Sequence, residues 1–287
     1  MTTAVPAATP SGPPPVAGER HRGRFGRTLL YYLPAVVTFV LLIAAWEGLT
    51  RALEVRAFIL PPPSAIAAAL AENWEGGRWP LAASVVATLI EALGGLVIGT
   101  LAGVVMAFTI ARFVTARDAL LPIAIAANAI PIIAIAPIFN NWFGVLTPLS
   151  KMMIAALLVF FPVMINVTRG LSQVEPAALE LMRAYAATEA TTFRKLRVPN
   201  ALPYFLTALK VATTLSLIGA VVGEYFGGAS SVIGRVVVQS SSALRFDVTW
   251  AAILLVSIAG VAMYVAVVVL ERALIPWHAS LRAEQPA

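Results

Sequence analysis

Long apolar runs separated by short polar ones dominate this chain. A helix needs about 20 mostly apolar residues to cross the hydrocarbon of a bilayer. Runs of about that length or longer fall at 29–50, 81–111, 119–139, 147–168, 203–226 and 249–271. They predict an all-α, polytopic transmembrane helical bundle of about six spans, the second long enough to tilt or to extend beyond the bilayer. Ahead of the first run lies a Pro/Ala/Gly/Thr lead and a basic stretch, Arg20 to Arg27. That composition cannot bury a core, and charges placed after a proline-rich lead do not read as a signal peptide. The expected organisation is a disordered basic tail at 1–28, a transmembrane domain at 29–272 and a C-terminal tail at 273–287.

Small residues and prolines inside the runs refine this picture. Gly95, Gly99 and Gly103 recur every four residues, so they share one helix face where another backbone can approach closely. Pro34, Pro122, Pro131, Pro137 and Pro162 lie in or at the ends of spans. Two readings stand for them: bend geometry, or an unwound stretch lining a pathway. The segment Phe58 to Trp74 reads as an extended stretch leading into a short external interfacial helix, with Ser64 as its N-cap and Leu70 and Trp74 on its apolar side.

Composition turns lipid into the main solvent. The 287 residues are 60 % hydrophobic and 12 % charged, with a mean hydropathy of +0.87. A net charge of +6 could suggest nucleic acid, but the 20 Lys and Arg form no long patch, so no nucleic-acid partner is expected. Their distribution orients the spans instead. With the N-terminus inside, the segments assigned to the cytosol hold thirteen Lys/Arg and the external ones six, Lys151 among them, with Lys210 near the inner end of the fifth span. Both termini are therefore expected in the cytosol, and so is the loop at 170–202.

Candidate chemistry is sparse. There is no cysteine, and the only histidines are His21 and His278, near the termini. No lysine follows a glycine as a phosphate-binding loop requires. Catalytic, cofactor and metal sites are therefore not expected. Glu91 and Glu224 are the carboxylates most plausibly at membrane depth, where a charge points to function; both also suit an interfacial, snorkelling position. Asn128, Asn166, Thr213, Thr214, Ser216 and Glu224 could line a path, or the neutral ones could only bridge helices by hydrogen bonds.

The polar stretch Leu179 to Pro203 breaks the pattern. It carries Glu180, Arg183 and Glu189, the small residues Ala184, Ala186, Ala187 and Ala190 on an expected helix, and Pro199 and Pro203 at its exit. Small residues beside charges make a knob that a partner groove can receive. The stretch resembles the Glu-Ala-Ala loop of permease subunits in ATP-binding cassette importers. Glu180-Leu181-Met182 stands at its start, with Met182 replacing an alanine, Ala186 stands where that family usually has glycine, and Pro199 closes the pattern. "LPPPSAI", "IPIIAIAPIFNNWFG", "LLVFFPVMINVTRGL" and "IGAVVGEYFGG" resemble the nitrate/sulfonate/taurine branch and its relatives that import pyrimidine thiamine precursors or riboflavin.

The resemblance implies a type I importer permease in the bacterial inner membrane. It implies a homodimer, two cytosolic ATPase subunits carrying ATP and Mg, and an external substrate-binding protein. Glu180, Arg183, Ala184, Ala186, Ala187, Ala190 and Pro199 are the residues it assigns to ATPase coupling. The expected substrate is a pyrimidine or riboflavin-like compound, or else nitrate, sulfonate or taurine. An ion-coupled secondary transporter is the alternative.

Overall fold

The computed structural model describes residues 24–112, 122, 126 and 131–275. Most of the expected tails, about half of the third run and Asn128 lie outside the described residues. The elements are α1 (Arg24–Ala52), α2 (Pro63–Glu72), α3 (Leu81–Arg112), α4 (Ile132–Phe143), α5 (Pro148–Ser172), α6 (Pro176–Ala184) and α7 (Glu189–Thr192). A π-helical turn, Phe193–Arg197, then leads into α8 (Val198–Phe226), followed by α9 (Ile233–Ser242) and α10 (Phe246–Leu274). Among the described residues five helical stretches are long and apolar enough to span: Leu33–Ala52, Leu81–Arg112, Pro148–Ser172, Glu189–Phe226 and Phe246–Leu274. This is an all-α polytopic membrane bundle.

Its centre is α3, α5 and α8. Lipid tails are as apolar as leucine, so close backbone packing must hold such helices together. Small residues supply it. A Cβ built on Gly95 would lie 2.4 Å from Ala155 Cβ and 2.7 Å from Met152 O, one on Gly99 would lie 2.5 Å from Ala156 O, and one on Gly103 2.9 Å from Phe160 O. A Cβ on Gly219 of α8 would meet the same Ala155, 2.6 Å from its Cα. Val159, Val163, Leu171, Ala208 and Ala212 fill the space between these helices. A second core, with Ile66, Trp79, Ile233 and Val248, joins α2, α9 and α10. The outer helices turn apolar side chains outward: Phe39 on α1 is 65 % exposed and Val261 on α10 63 %, as suits contact with lipid.

A largely buried ion pair joins two helices of the bundle. Lys210 Nζ lies 2.8 and 3.1 Å from the two oxygens of Glu271, joining α8 to α10, with side chains 22 % and 8 % exposed. Breaking a buried pair from one side leaves an uncompensated charge and costs about 3–5 kcal/mol, whereas replacing both partners with apolar residues is often neutral. Lys210→Met is therefore expected to lower the unfolding temperature markedly in detergent, and Lys210→Met with Glu271→Leu to recover most of the loss. A double variant as unstable as the single one contradicts this.

The short helix α2 corrects the sequence reading. Ser64 is not its N-cap: Pro62 holds that position in an extended conformation and Pro63 starts the helix. Proline is favoured at the first helical position because its missing N–H needs no partner there. The Ser64 N–H donates instead to Glu47 Oε2 of α1 (3.0 Å), and its hydroxyl donates to Glu47 Oε1 (2.8 Å). A carboxylate from another helix thus serves the orphan donor that the cap leaves open. Of the two residues expected on its apolar side, Leu70 packs against the second core beside the buried Ile66 and Ala69, whereas Trp74 is 44 % exposed.

Candidate functional site

The polar loop is a helix-turn-helix, not the single helix expected from its alanines. α6 ends at Ala184, Ala186 and Ala187 form the turn, and Ala190 lies on α7. The Ala187 N–H donates to Met182 O at 3.0 Å and the Ala186 N–H to Arg183 O at 2.9 Å, the two bonds of a Schellman stop. Ala186 occupies its left-handed position at φ 48°. Glycine suits that position because it has no Cβ to clash. Glu54 (φ 47°) and Leu244 (φ 58°) end α1 and α9 with the same pair of bonds. Ala186→Gly is expected to raise stability by about 1 kcal/mol, with transport retained. A lower unfolding temperature would contradict this.

Further along, Thr188 caps α7, its Oγ1 accepting the Thr191 N–H at 3.3 Å. The loop is pinned at its base. Asn200 Nδ2 donates to Gly170 O (2.7 Å) and Gln173 O (3.0 Å), satisfying carbonyls at the end of α5. A Cβ on Gly170 would meet Ala201 Cα at 2.7 Å, so α5 and α8 touch where the loop leaves and returns. Arg112, in the last turn of α3, lies 3.1 Å from Glu189, but both side chains are mostly exposed, so this tether guides geometry more than it adds stability. Beneath it Phe108 and Phe193 meet edge to face at 5.6 Å. The tip faces outward: Glu180, Arg183, Ala184, Ala186, Ala190 and Pro199 are exposed, Ala187 is half-buried, and Leu181 and Tyr185 are 58 % and 77 % exposed.

The candidate path residues are dispersed. Asn166 is half-buried and donates to Pro162 O at 2.8 Å. Thr213 and Ser216 are buried and donate to Lys210 O (2.7 Å) and Thr213 O (2.9 Å) of their own helix. Glu224 is fully buried, which excludes a snorkelling carboxylate in this chain. Glu91, at 5 % exposure, is likewise inside the bundle.

Glu224 has company that the sequence reading missed. Lys151, counted there among the charges of external segments, is 0 % exposed and donates to Val145 O and Thr147 O. Glu91 and Glu224 both lie close enough to its ammonium to feel its charge. Glu224 Oε2 accepts the Gly234 N–H at 2.6 Å, and Thr88 Oγ1 accepts the Ile233 N–H at 3.0 Å. Side chains of α3 and α8 thereby cap α9, whose own N-cap residue, Val232, makes no capping bond. The signal in the sequence was a lysine just after a proline at a span's start, beside two glutamates in other spans. Only the fold brings the three together. Among the described residues no group of three or more His, Cys, Asp or Glu could hold a metal ion.

The described residues thus define a polytopic membrane protein with a protruding polar loop. Residues 95–276 match the family described as the binding-protein-dependent transport system inner membrane component, and the chain belongs to that family. It is 31 % identical to the formylaminopyrimidine transport permease protein ThiX of Halalkalibacterium halodurans, over 86 % of this chain and 96 % of that one. It is 30 % identical to the riboflavin transport system permease protein RibX of Chloroflexus aurantiacus, over 85 % and 90 %. It is 28 % identical to the putative aliphatic sulfonates transport permease protein SsuC of Bacillus subtilis, over 90 % and 91 %. The chain is therefore a multi-pass inner-membrane permease subunit of an ATP-binding cassette importer. In this family the permease is non-catalytic, with ATPase activity in separate subunits, and it works with those subunits and a substrate-binding protein.

Proposed function

We propose that two copies of this chain form the translocation path of the importer, each with six spans and both termini in the cytosol. The loop at 170–202 seats in a cytosolic ATPase subunit, with Glu180, Arg183, Ala184, Ala186, Ala187, Ala190 and Pro199 making or shaping the contact. Asn128, Asn166, Thr213, Ser216 and Glu224 are the path candidates. ATP-driven closure of the ATPases moves the loops and exchanges inward- and outward-facing states. The observation that carries this reading is the loop itself: firmly stitched at its base by Asn200 and Gly170, yet presenting an unpartnered, small-residue tip with Leu181 and Tyr185 outward.

For substrate we propose a pyrimidine or flavin-like heteroaromatic solute delivered by an external binding protein. The support is the likeness to relatives named for formylaminopyrimidine and riboflavin transport, and nitrate, sulfonate or taurine is the competing class. The tagged chain, purified under mild conditions, should bring down an ATPase subunit and a binding protein. That binding protein should gain thermal stability with heteroaromatic ligands and not with taurine, since a ligand stabilises by mass action. Stabilisation by sulfonates alone would overturn the substrate assignment. In intact cells single cysteines at Gly76 and Ser230 should react with an impermeant thiol reagent while Thr188→Cys does not; the reverse pattern would overturn the orientation.

A further inference from the structure

One face of α3 stays open. Val86, Ile90, Leu93, Val97, Leu101 and Val105 are all exposed, and they recur in steps of three or four residues, so they form one stripe. The rise from Val86 to Val105 is about 29 Å at 1.5 Å per residue, which matches the roughly 30 Å of hydrocarbon in a bilayer. The same steps then lead to Phe108 and Arg112, where the face turns from apolar to basic. Helical side chains lean toward the N-terminus of their helix, so Arg112 leans back toward the stripe, at the depth of lipid headgroups.

There the stripe runs into a cavity of about 570 Å³ between the end of α3, α7 and the π turn. Phe108 and Phe193, edge to face at 5.6 Å, form its apolar wall. Arg112, Arg194, Arg197 and Glu189 form its charged wall. Glu189 balances one of the three arginines, through its pairing with Arg112 at 3.1 Å. Among the described residues no carboxylate lies within ion-pair distance of Arg194, which is exposed, or Arg197, which is half-buried. The cavity therefore sets surplus positive charge beside an aromatic surface, and it shares Phe108 and Arg112 with the stripe.

We infer that this cavity binds the headgroup of an anionic phospholipid, in the leaflet on the side of the polar loop, with the acyl chains lying along the α3 stripe. The guanidinium fork suits phosphate oxygens, which it meets through parallel N–H donors, and basic pockets between spans hold acidic headgroups. The two-part shape favours lipid over a free anion: a phosphate ion would use the arginines and leave the aromatic wall and the stripe uncovered. One side of the cavity is the end of α3 and the other is the turn by which the loop returns to α8, so the bound lipid ties the loop to the bilayer surface. The inference holds whichever side of the membrane the loop occupies and whatever the permease carries. Its main readout needs only the isolated chain, without ATPase or uptake, so its failure is separable from a failure of the proposed transport role.

The full-length chain in detergent tests it by thermal unfolding as phosphatidylglycerol, phosphatidylcholine or inorganic phosphate is added at fixed ionic strength. Phosphatidylglycerol should raise the unfolding temperature to a plateau, because a ligand of the folded state stabilises by mass action, and the other two should not. Equal stabilisation by phosphatidylcholine would be a general lipid effect and overturns the site; equal stabilisation by inorganic phosphate overturns the lipid as its occupant. Arg194→Gln should raise the half-saturating phosphatidylglycerol concentration about fivefold, and Arg194→Gln with Arg197→Gln about 30-fold. Arg194 is exposed and unpaired among the described residues, so its single variant should unfold at the parent temperature when no lipid is added. Lys195→Gln, on the same turn but off the cavity wall, should matter much less, and Glu189→Gln, which frees Arg112, should lower the half-saturating concentration. Equal losses at Arg194 and Lys195, or no gain from Glu189→Gln, would mean unspecific attraction and overturn the assignment. Native mass spectrometry of the chain with its co-purified ATPase addresses the rival occupant: phosphatidylglycerol retained in that complex supports the lipid site, whereas retention by the isolated chain alone gives the cavity to the ATPase.

Discussion

A permease carrying Ala187→Trp is expected to insert and dimerise normally yet to lose uptake and release its ATPase subunits on purification; Glu180→Ala should do the same. Ala187 follows the left-handed Ala186 in the Schellman stop and is half-buried, so an indole there must project into the space a partner needs. Neither change disturbs the pinned base of the loop, where Asn200 and Gly170 hold α5 against α8. Glu180 is exposed on α6 and available to a basic group in the ATPase. Removing one member of a charge pair that becomes buried on docking costs about 2–5 kcal/mol, against little for a rim charge. The measurement is uptake together with co-purification at matched expression. Normal transport with both variants would remove the loop from the coupling machinery.

Gly99→Leu is expected to prevent the bundle from assembling at all. A Cβ at Gly99 would meet Ala156 O at 2.5 Å and Ala156 Cα at 2.9 Å, and backbone cannot rotate away. Even one added methyl in a close-packed site costs about 1–3 kcal/mol, so Gly99→Ala should already lower the unfolding temperature. Two other glycines serve as controls. A Cβ at Gly94 meets only the flexible side chain of Met152, and one at Gly48 meets nothing within 4 Å. Both should accept alanine with little change. Size-exclusion profiles and thermal unfolding in detergent decide the matter: equal tolerance at Gly48, Gly94 and Gly99 would show that the α3–α5 contact does not hold the bundle.

What the sequence revealed was what depends on one segment at a time. Span lengths follow from local hydrophobicity, and the starts and ends of α3, α5, α8 and α10 lie within a few residues of the apolar runs. The spacing of Gly95, Gly99 and Gly103 requires only helical periodicity to place them on one face. Ala186 was conspicuous because it stands where the resembling family has glycine, whereas Glu54 and Leu244, in the same backbone state, left no such mark. The reading failed where distant segments decide. Ser64 resembles a cap until Glu47 arrives from another helix and Pro63 takes the first turn. Lys151 reads as a loop charge until α3 and α8 close over it. The alanines of the loop have helical propensity throughout, and only the carbonyls of Met182 and Arg183, recaptured by the turn, show that the helix stops between them.

The stretch Glu189–Phe226 is 38 residues of nearly unbroken helix. At about 1.5 Å per residue, roughly 55 Å separate its ends. One end carries Glu189 and Ala190 of the polar loop, and the other carries Glu224 under α9. The same rod therefore reaches from the polar loop, proposed above as the ATPase dock, to the cap of α9 at the far end of the bundle. A tilt imposed at one end arrives at the other without passing through any side-chain relay. The π turn at Phe193–Arg197 is its most compliant point, because wide turns hydrogen-bond less well than the α-helix around them. Stiffening or loosening those five residues would change how much of a push on the loop becomes movement at the far end, much as the play in a lever's pivot sets the stroke at its tip.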